Sequence, residues 1–173
     1  MEMTVRAATS DDVDLLAKVA ANDGYPWKRV LTPEYFLSRM SKRERFFILD
    51  WNLYTVGGRV NTIGYISLTN VITKEPSNIM FLDSEEVANF PKASKIHYLS
   101  VDESYQEQGF GKQLVEHMLE QARLKRKKYL YVFTPQKNRN AIGFYLHLDF
   151  LIQGTYPNKY GPQDHGILLS KAI

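Results

Sequence analysis

The chain has 173 residues, 44% of them apolar and 24% charged, which is enough for one folded domain with a sizeable core and excludes a disordered tract. It contains no cysteine, which excludes disulfides, thiolate metal sites and a cysteine nucleophile, and is compatible with a reducing cytosol. A net charge of +3 is too mild to indicate nucleic acid, and no apolar run is long enough to span a bilayer. Met1 to Arg6 lacks the basic-then-apolar pattern of a leader. The expectation is a single cytoplasmic domain over 1–173, away from any membrane.

Residues 4–8 read as a first strand. Ser10 is the expected N-cap of a helix over 10–21, with Asp11, Asp12 and Asp14 in its first turn and Val13, Leu15, Leu16, Val19 and Ala20 as its apolar positions. Gly24-Tyr25-Pro26-Trp27 breaks that helix. Thr32-Pro33 is a cap followed by proline at the first helical position, so a second helix covers 33–40. Residues 46–51 and 60–69 read as paired strands, with Gly57-Gly58 in their connection. Residues 71–92, with Pro76, Pro91, Asp83, Glu85 and Glu86, read as a long loop with one helical turn at most, and loops of this length are often functional.

A strand over 96–101 follows, then a long helix in which Phe110, Leu114, Met118 and Ala122 recur every four residues while Lys112, Glu116, Glu120 and Arg123 lie off that line. Arg123 and Lys125 to Lys128 form a basic cluster near its carboxyl end, where cations are favoured, and read as a solvated helix end rather than an RNA-binding patch. Residues 129–134 form another strand, ended by Pro135. Asn138 caps a helix with Ala141, Ile142, Tyr145 and Leu148 on one face. Strands over 150–156 and 167–170 finish the chain around a Pro/Gly loop. The order β-α-α-β-β-β-α-β-α-β-β gives a mixed α/β fold: a mixed, mostly antiparallel sheet with flanking helices.

The most informative segment joins the 96–101 strand to the long helix: Gln106, Glu107, Gln108, Gly109, Phe110, Gly111 and Lys112. Strand, glycine-bearing turn and helix in that order build a pocket for phosphate. Glycines lack a Cβ and let the backbone approach an anion. The first helical turn then points N–H groups without intrahelical acceptors at it, and the helix dipole favours negative charge there. A Walker A loop is excluded, because Gln113 follows Gly111-Lys112 and position 106 is not glycine; the dinucleotide fingerprint is excluded by Leu114 where a third glycine belongs. What remains is Gln106-x-x-Gly109-x-Gly111, which resembles the pyrophosphate motif of the GNAT superfamily of N-acetyltransferases. Downstream, Asn138-x-x-Ala141-x-x-Phe144-Tyr145 resembles the second signature of that superfamily. Asp149 stands where the family usually carries glycine; the site follows a helix and often needs positive φ, which Asp tolerates better than most residues.

That resemblance implies the acyl-CoA N-acyltransferase fold and acetyl-CoA as cosubstrate. The coenzyme would lie where the 96–101 and 129–134 strands splay apart. Backbone groups of Leu99 and Val101 would pair with the pantetheine arm, and one of the amides there would serve the developing oxyanion. Gln106, Gln108, Gly109, Phe110, Gly111 and Lys112 would form the diphosphate site, with the backbone amides from Gln108 to Lys112 as its donors. Asn138 would bond the pantetheine. A primary amine of a small molecule or peptide would attack the thioester directly. Tyr145 would be the general acid for the leaving thiolate, since a phenol with pKa near 10 suits a weakly acidic thiol. His97 is the candidate base, on the strand where the arylalkylamine acetyltransferases carry a histidine; a histidine paired elsewhere and a water relay are the open alternatives. His117, His147 and His165 have no metal-ligand spacing and read as structural, so no metal is expected, and Glu103 reads as a solvated turn residue. The resemblance also places the acceptor pocket at Tyr25-Pro26-Trp27 and the final hairpin, 156–160. The first segment resembles the ribosomal-protein N-terminal acetylases, but Phe133 stands where those carry glutamate, which weakens a protein amino terminus as acceptor. Homodimers are common in similar proteins, and the oligomeric state is left open. A non-catalytic module that binds acyl-CoA or a protein on the same fold is the alternative, against which the retained Tyr145, Asn138 and glycines argue.

Overall fold

The computed structural model describes residues 2–25, 31–52, 60–70, 80–81 and 92–173. The chain forms two compact units, Met1–Thr69 with Tyr98–His117, and Asn70–His97 with Met118–Ile173.

The first unit holds β1 (Glu2–Ala7), β2 (Arg45–Asn52), β3 (Val60–Asn70) and the carboxyl half of β5 (Ala93–Val101), neighbours in that order. β1 and β2 run antiparallel, as do β2 and β3. The β2–β3 register slips between Leu49 and Asp50, so Ile63 is the extra residue on β3. Its carbonyl accepts from the amide of Asp102 at 2.9 Å, which fixes the point where β5 ends. Gly64 beside it permits a close approach: a Cβ there would come to 3.0 Å of the Ser100 carbonyl and 3.2 Å of Leu114. Helices α1 (Val13–Ala21) and α2 (Pro33–Ser41) pack their apolar faces into one cluster with Phe46, Ile48, Tyr65 and Tyr98. Phe36 sits at its centre, edge-on to Phe46 at 5.4 Å and to Tyr65 at 5.5 Å.

The expected cap of α2 is present, with Thr32 accepting from the Tyr35 amide. The cap ahead of α1 moves: Thr9, not Ser10, is the capping residue, paired reciprocally with Asp12, and residues 10–12 form a 3₁₀ turn before the α-helix starts. Asp12 is drawn into this arrangement by Arg6, whose guanidinium donates to both its oxygens at 2.8 and 2.9 Å and to Asp50 at 2.7 Å. The Arg6 hydrogen bond holds the Asp12 carboxyl down at about 2. A folded-state value below the unfolded one, about 3.9, contributes stability present above the unfolded value and lost as pH falls towards the folded one. Asp12→Asn should therefore cost roughly 1.5–3 kcal/mol in denaturant titrations at pH 7, and distinctly less near pH 2.

The second unit holds the amino half of β5, then β6 (Tyr129–Pro135), β8 (Asp164–Ala172), β7 (Leu151–Gly161) and β4 (Met80–Phe81), neighbours in that order. β5 and β6 are parallel, and their register covers Ala93 to Ile96 against Tyr129 to Val132. The remaining pairs are antiparallel. The mixed, mostly antiparallel sheet read from the sequence is thus present. β4 was not expected; it falls within the stretch read as a loop, and pairs Met80 with Thr155 and Phe81 with Gly154. The other expected features of residues 71–91, and those of Gly57-Gly58 and Pro26-Trp27, lie outside the described residues.

The final hairpin also differs from expectation. Its strands run on to Gly161 and resume at Asp164, so the residues read as a Pro/Gly loop are largely strand, with a register break between Tyr156 and Gly161. Helix α3 (Phe110–Leu124) carries the basic cluster at its last turn and just beyond. There Arg126 takes a positive φ and the Lys127 amide closes back on the Ala122 carbonyl, an ordinary helix end. Helix α4 (Arg139–His147) starts as expected, with Asn138 accepting from the Ala141 amide at 3.0 Å. Asp149 adopts φ 60, the left-handed conformation anticipated for that site.

Candidate active site

β5 sets the site's frame. Its burial alternates, with Ile96, Tyr98 and Ser100 buried while Lys95, His97, Leu99 and Val101 are half-exposed on the other face. The strand ends at Asp102, whose side chain accepts from the Ser104 amide at 3.0 Å and starts a 3₁₀ turn over Glu103–Tyr105. Gln106 leaves the turn in extended conformation, Glu107 goes to φ 60 and Gly109 to φ 85. The chain then enters α3, where the first helical bond runs from the Gln113 amide to the Gly109 carbonyl at 3.2 Å. The amides of Phe110, Gly111 and Lys112 have no acceptor within the helix. A Cβ on Gly109 would meet no described residue within 4 Å.

The side chains around the corner have distinct tasks. Phe110 is buried, edge-on to Tyr105 at 6.5 Å, and anchors the helix start. Gln108 is exposed and donates to the Ser104 carbonyl at 3.3 Å. Lys112 is exposed, 3.7 Å from Glu116 one turn on. Gln106 spends its amide nitrogen within the fold, on the carbonyls of Asp23 at 2.8 Å and Val101 at 2.9 Å. Leu99, Val101, Gln106, Gln108, Gly109, Phe110, Gly111 and Lys112 thus form one continuous strand–turn–helix corner in the first unit. Glu103 is exposed, as expected of a turn residue.

His97, Asn138 and Tyr145 belong to the second unit. His97 is half-exposed on β5. Tyr145 is buried, its ring edge-on to Phe144 at 5.1 Å and Phe150 at 5.2 Å. Burial, with a smaller contribution from Tyr160, pushes its phenol well above the ordinary value, so the group stays protonated at neutral pH. On the final hairpin, the Lys159 ammonium lies 4.6 Å from the Phe133 ring centroid and 4.5 Å from that of Tyr156, and Lys95 lies 5.6 Å from Phe133. The Phe133 position, where a carboxylate was the comparison, is therefore flanked by the chain's own cations. Burial lowers the pKa of Lys159.

The other histidines have structural contacts. His117 packs on Phe47 at 5.0 Å, His147 bonds the Gly143 carbonyl at 2.7 Å, and His165 accepts from the Asn158 amide at 3.0 Å. Among the described residues no group of three or more His, Asp or Glu side chains could hold a metal ion, and no helix is long and apolar enough to cross a membrane. Sequence reasoning missed Asp23 and Ser100. Asp23 is a buried carboxylate that accepts from the Ser100 hydroxyl at 2.7 Å and the Tyr25 amide at 2.9 Å. The available signal was an acid at a helix end, Asn22-Asp23-Gly24, which by itself reads as a turn.

Comparison with known proteins is consistent with this geometry. The model of the acetyltransferase (GNAT) family matches residues 15–150. Among solved structures, Ard1 from Thermoplasma volcanium superposes with a TM-score of 0.72 at 18% identity, over 100% of this chain and 99% of that one. The ribosomal-protein-S18-alanine N-acetyltransferase from Escherichia coli gives 0.68 at 19% identity, over 99% and 94%. YncA from Salmonella typhimurium, determined with its cofactor acetyl-CoA, gives 0.70 at 16% identity, over 99% and 94%.

Proposed function

The chain belongs to the GNAT acetyltransferase family, and from that premise we propose that it transfers the acetyl group of acetyl-CoA directly to a primary amine of a small molecule or peptide. The observation that carries this reading is the corner ahead of α3, where Gly109 at φ 85 precedes a first helical turn whose Gly111 and Lys112 amides have no acceptor within the helix. Such a corner suits the diphosphate of a coenzyme. The acetyl-CoA present in yncA supports the donor.

In this mechanism the amides from Gln108 to Lys112 bind the diphosphate, and Leu99 and Val101 align the pantetheine arm. The Val101 carbonyl already accepts from Gln106, so this reading gives the pairing with the arm to its amide. Asn138, whose side-chain oxygen caps α4, contributes its amide nitrogen. The amine nitrogen attacks the thioester carbonyl, the C–S bond breaks, and Tyr145 returns a proton to the leaving sulfur. His97 or a water relay takes the proton of the incoming ammonium. The cysteine-free composition fits a reducing compartment, and we place the enzyme in the cytoplasm.

Thermal shift with acetyl-CoA and CoA, followed by thiol release across a panel of amines, tests the reading. At a hundredfold excess over Kd, binding stabilises by about 2.7 kcal/mol, which corresponds to a Tm rise of roughly 5–10 °C for a chain of this size. Stabilisation with amine-dependent thiol release is the expected outcome. Stabilisation without release on any amine points instead to an acyl-CoA-binding module, and absence of stabilisation overturns the reading.

A further inference from the structure

The diphosphate corner is tied to the chain that leaves α1. Three donors from the β5–α3 connection and its strand reach that chain: the Glu103 amide to the Asn22 carbonyl at 2.7 Å, the Gln106 side chain to the Asp23 carbonyl at 2.8 Å, and the Ser100 hydroxyl to the Asp23 carboxylate at 2.7 Å. The second oxygen of that carboxylate accepts from the Tyr25 amide at 2.9 Å, so Asp23 passes the connection on to Tyr25, two residues further along. Gln106 bridges two segments with one nitrogen, since it also holds the Val101 carbonyl at 2.9 Å. A hollow of about 390 Å³, bounded by Ala21, Asn22, Gly24, Asp102, Glu103 and Ser104, opens beside these bonds.

We propose that Gln106 is a positioning residue that couples occupancy of the diphosphate corner to the conformation of Asp23–Tyr25. The proposal rests on the diphosphate reading above. The backbone from Gln106 to Gly109 sets the aim of the amides that follow, and the Gln106 side chain fixes that backbone against the end of α1. An anion that orders the turn therefore orders Asp23 and Tyr25 without touching them. By linkage, restraint of Asp23–Tyr25 strengthens coenzyme binding by the same factor, and such couplings are typically 5–150-fold.

Hydrogen exchange of the full chain with and without CoA tests this. In the wild type, CoA slows exchange in 106–113 and also in 20–25. Gln106→Glu keeps the length but has no donor; it should lose protection in 20–25 and bind CoA at least fivefold more weakly. Gln106→Arg, which offers several donors to the same carbonyls, should restore both, a rescue that a packing role alone does not give. Ser100→Ala, which leaves Gln106 intact, should reduce the response in 20–25 and serves if Gln106→Glu does not fold. Equal protection of 20–25 in wild type, Gln106→Glu and Ser100→Ala overturns the coupling, and so does protection confined to 106–113 in the wild type. Absence of protection in both segments of the wild type is the distinct result that overturns the diphosphate reading itself, and the coupling with it.

Discussion

Gly109→Val is expected to weaken CoA binding roughly five- to thirtyfold while leaving the helical content of the protein intact. The residue sits at φ 85, a conformation that a β-branched side chain essentially never adopts. A Cβ there would meet no described residue within 4 Å, so the first side-chain carbon meets no clash and the strain falls on the backbone. Forcing an L side chain into a left-handed conformation costs roughly 1–2 kcal/mol, and 1.4 kcal/mol is a factor of ten in affinity. If the chain relieves the strain by flipping out of that conformation, the following amides lose their common aim. Gly109→Asn, which tolerates left-handed geometry better, should fall between wild type and valine. Isothermal titration with CoA, alongside circular dichroism, measures both variants. Wild-type affinity in Gly109→Val would show that this turn does not hold the coenzyme.

Tyr145→Phe should lower turnover at least tenfold with little change in Tm. Phenylalanine keeps the ring that packs against Phe144 and Phe150, so only the hydroxyl is removed. General acid transfer typically contributes about 10²–10⁴ in rate, which makes a tenfold loss the conservative figure. Burial keeps the phenol protonated well beyond its ordinary range. The kcat profile should therefore show no limb from Tyr145 ionisation between pH 6 and about pH 10, the ordinary phenol value. A single-turnover assay separates this step from product release. Unchanged turnover in the variant removes Tyr145 from the mechanism; a large fall in Tm with unchanged kcat makes it a packing residue only.

The parts of the fold legible in the sequence were those governed by local rules. Thr32 and Asn138 are caps because their side chains reach amides three residues on, a spacing visible in the sequence. Asp149 was readable because a position just past a helix selects for residues that accept positive φ. The Gln106–Lys112 motif was readable because its glycines stand at fixed spacing. What was missed depends on which partner a residue meets, near or far in sequence. Thr9 wins the cap over Ser10 because Asp12, pulled in by Arg6, answers it. β4 has only Met80 and Phe81, too short for any alternation, and exists through its pairing with β7. The final hairpin continues through Pro157 because its register break absorbs the irregular residues. Asp23 meets Ser100 across 77 positions of sequence, and no local pattern announces such a pair.

A crystal structure with acetyl-CoA bound shows where the coenzyme's diphosphate sits. Its oxygens should lie about 3 Å from main-chain nitrogens between Gln108 and Lys112, at ordinary hydrogen-bond distance. A coenzyme bound with its diphosphate elsewhere, and this corner facing solvent, would contradict that placement.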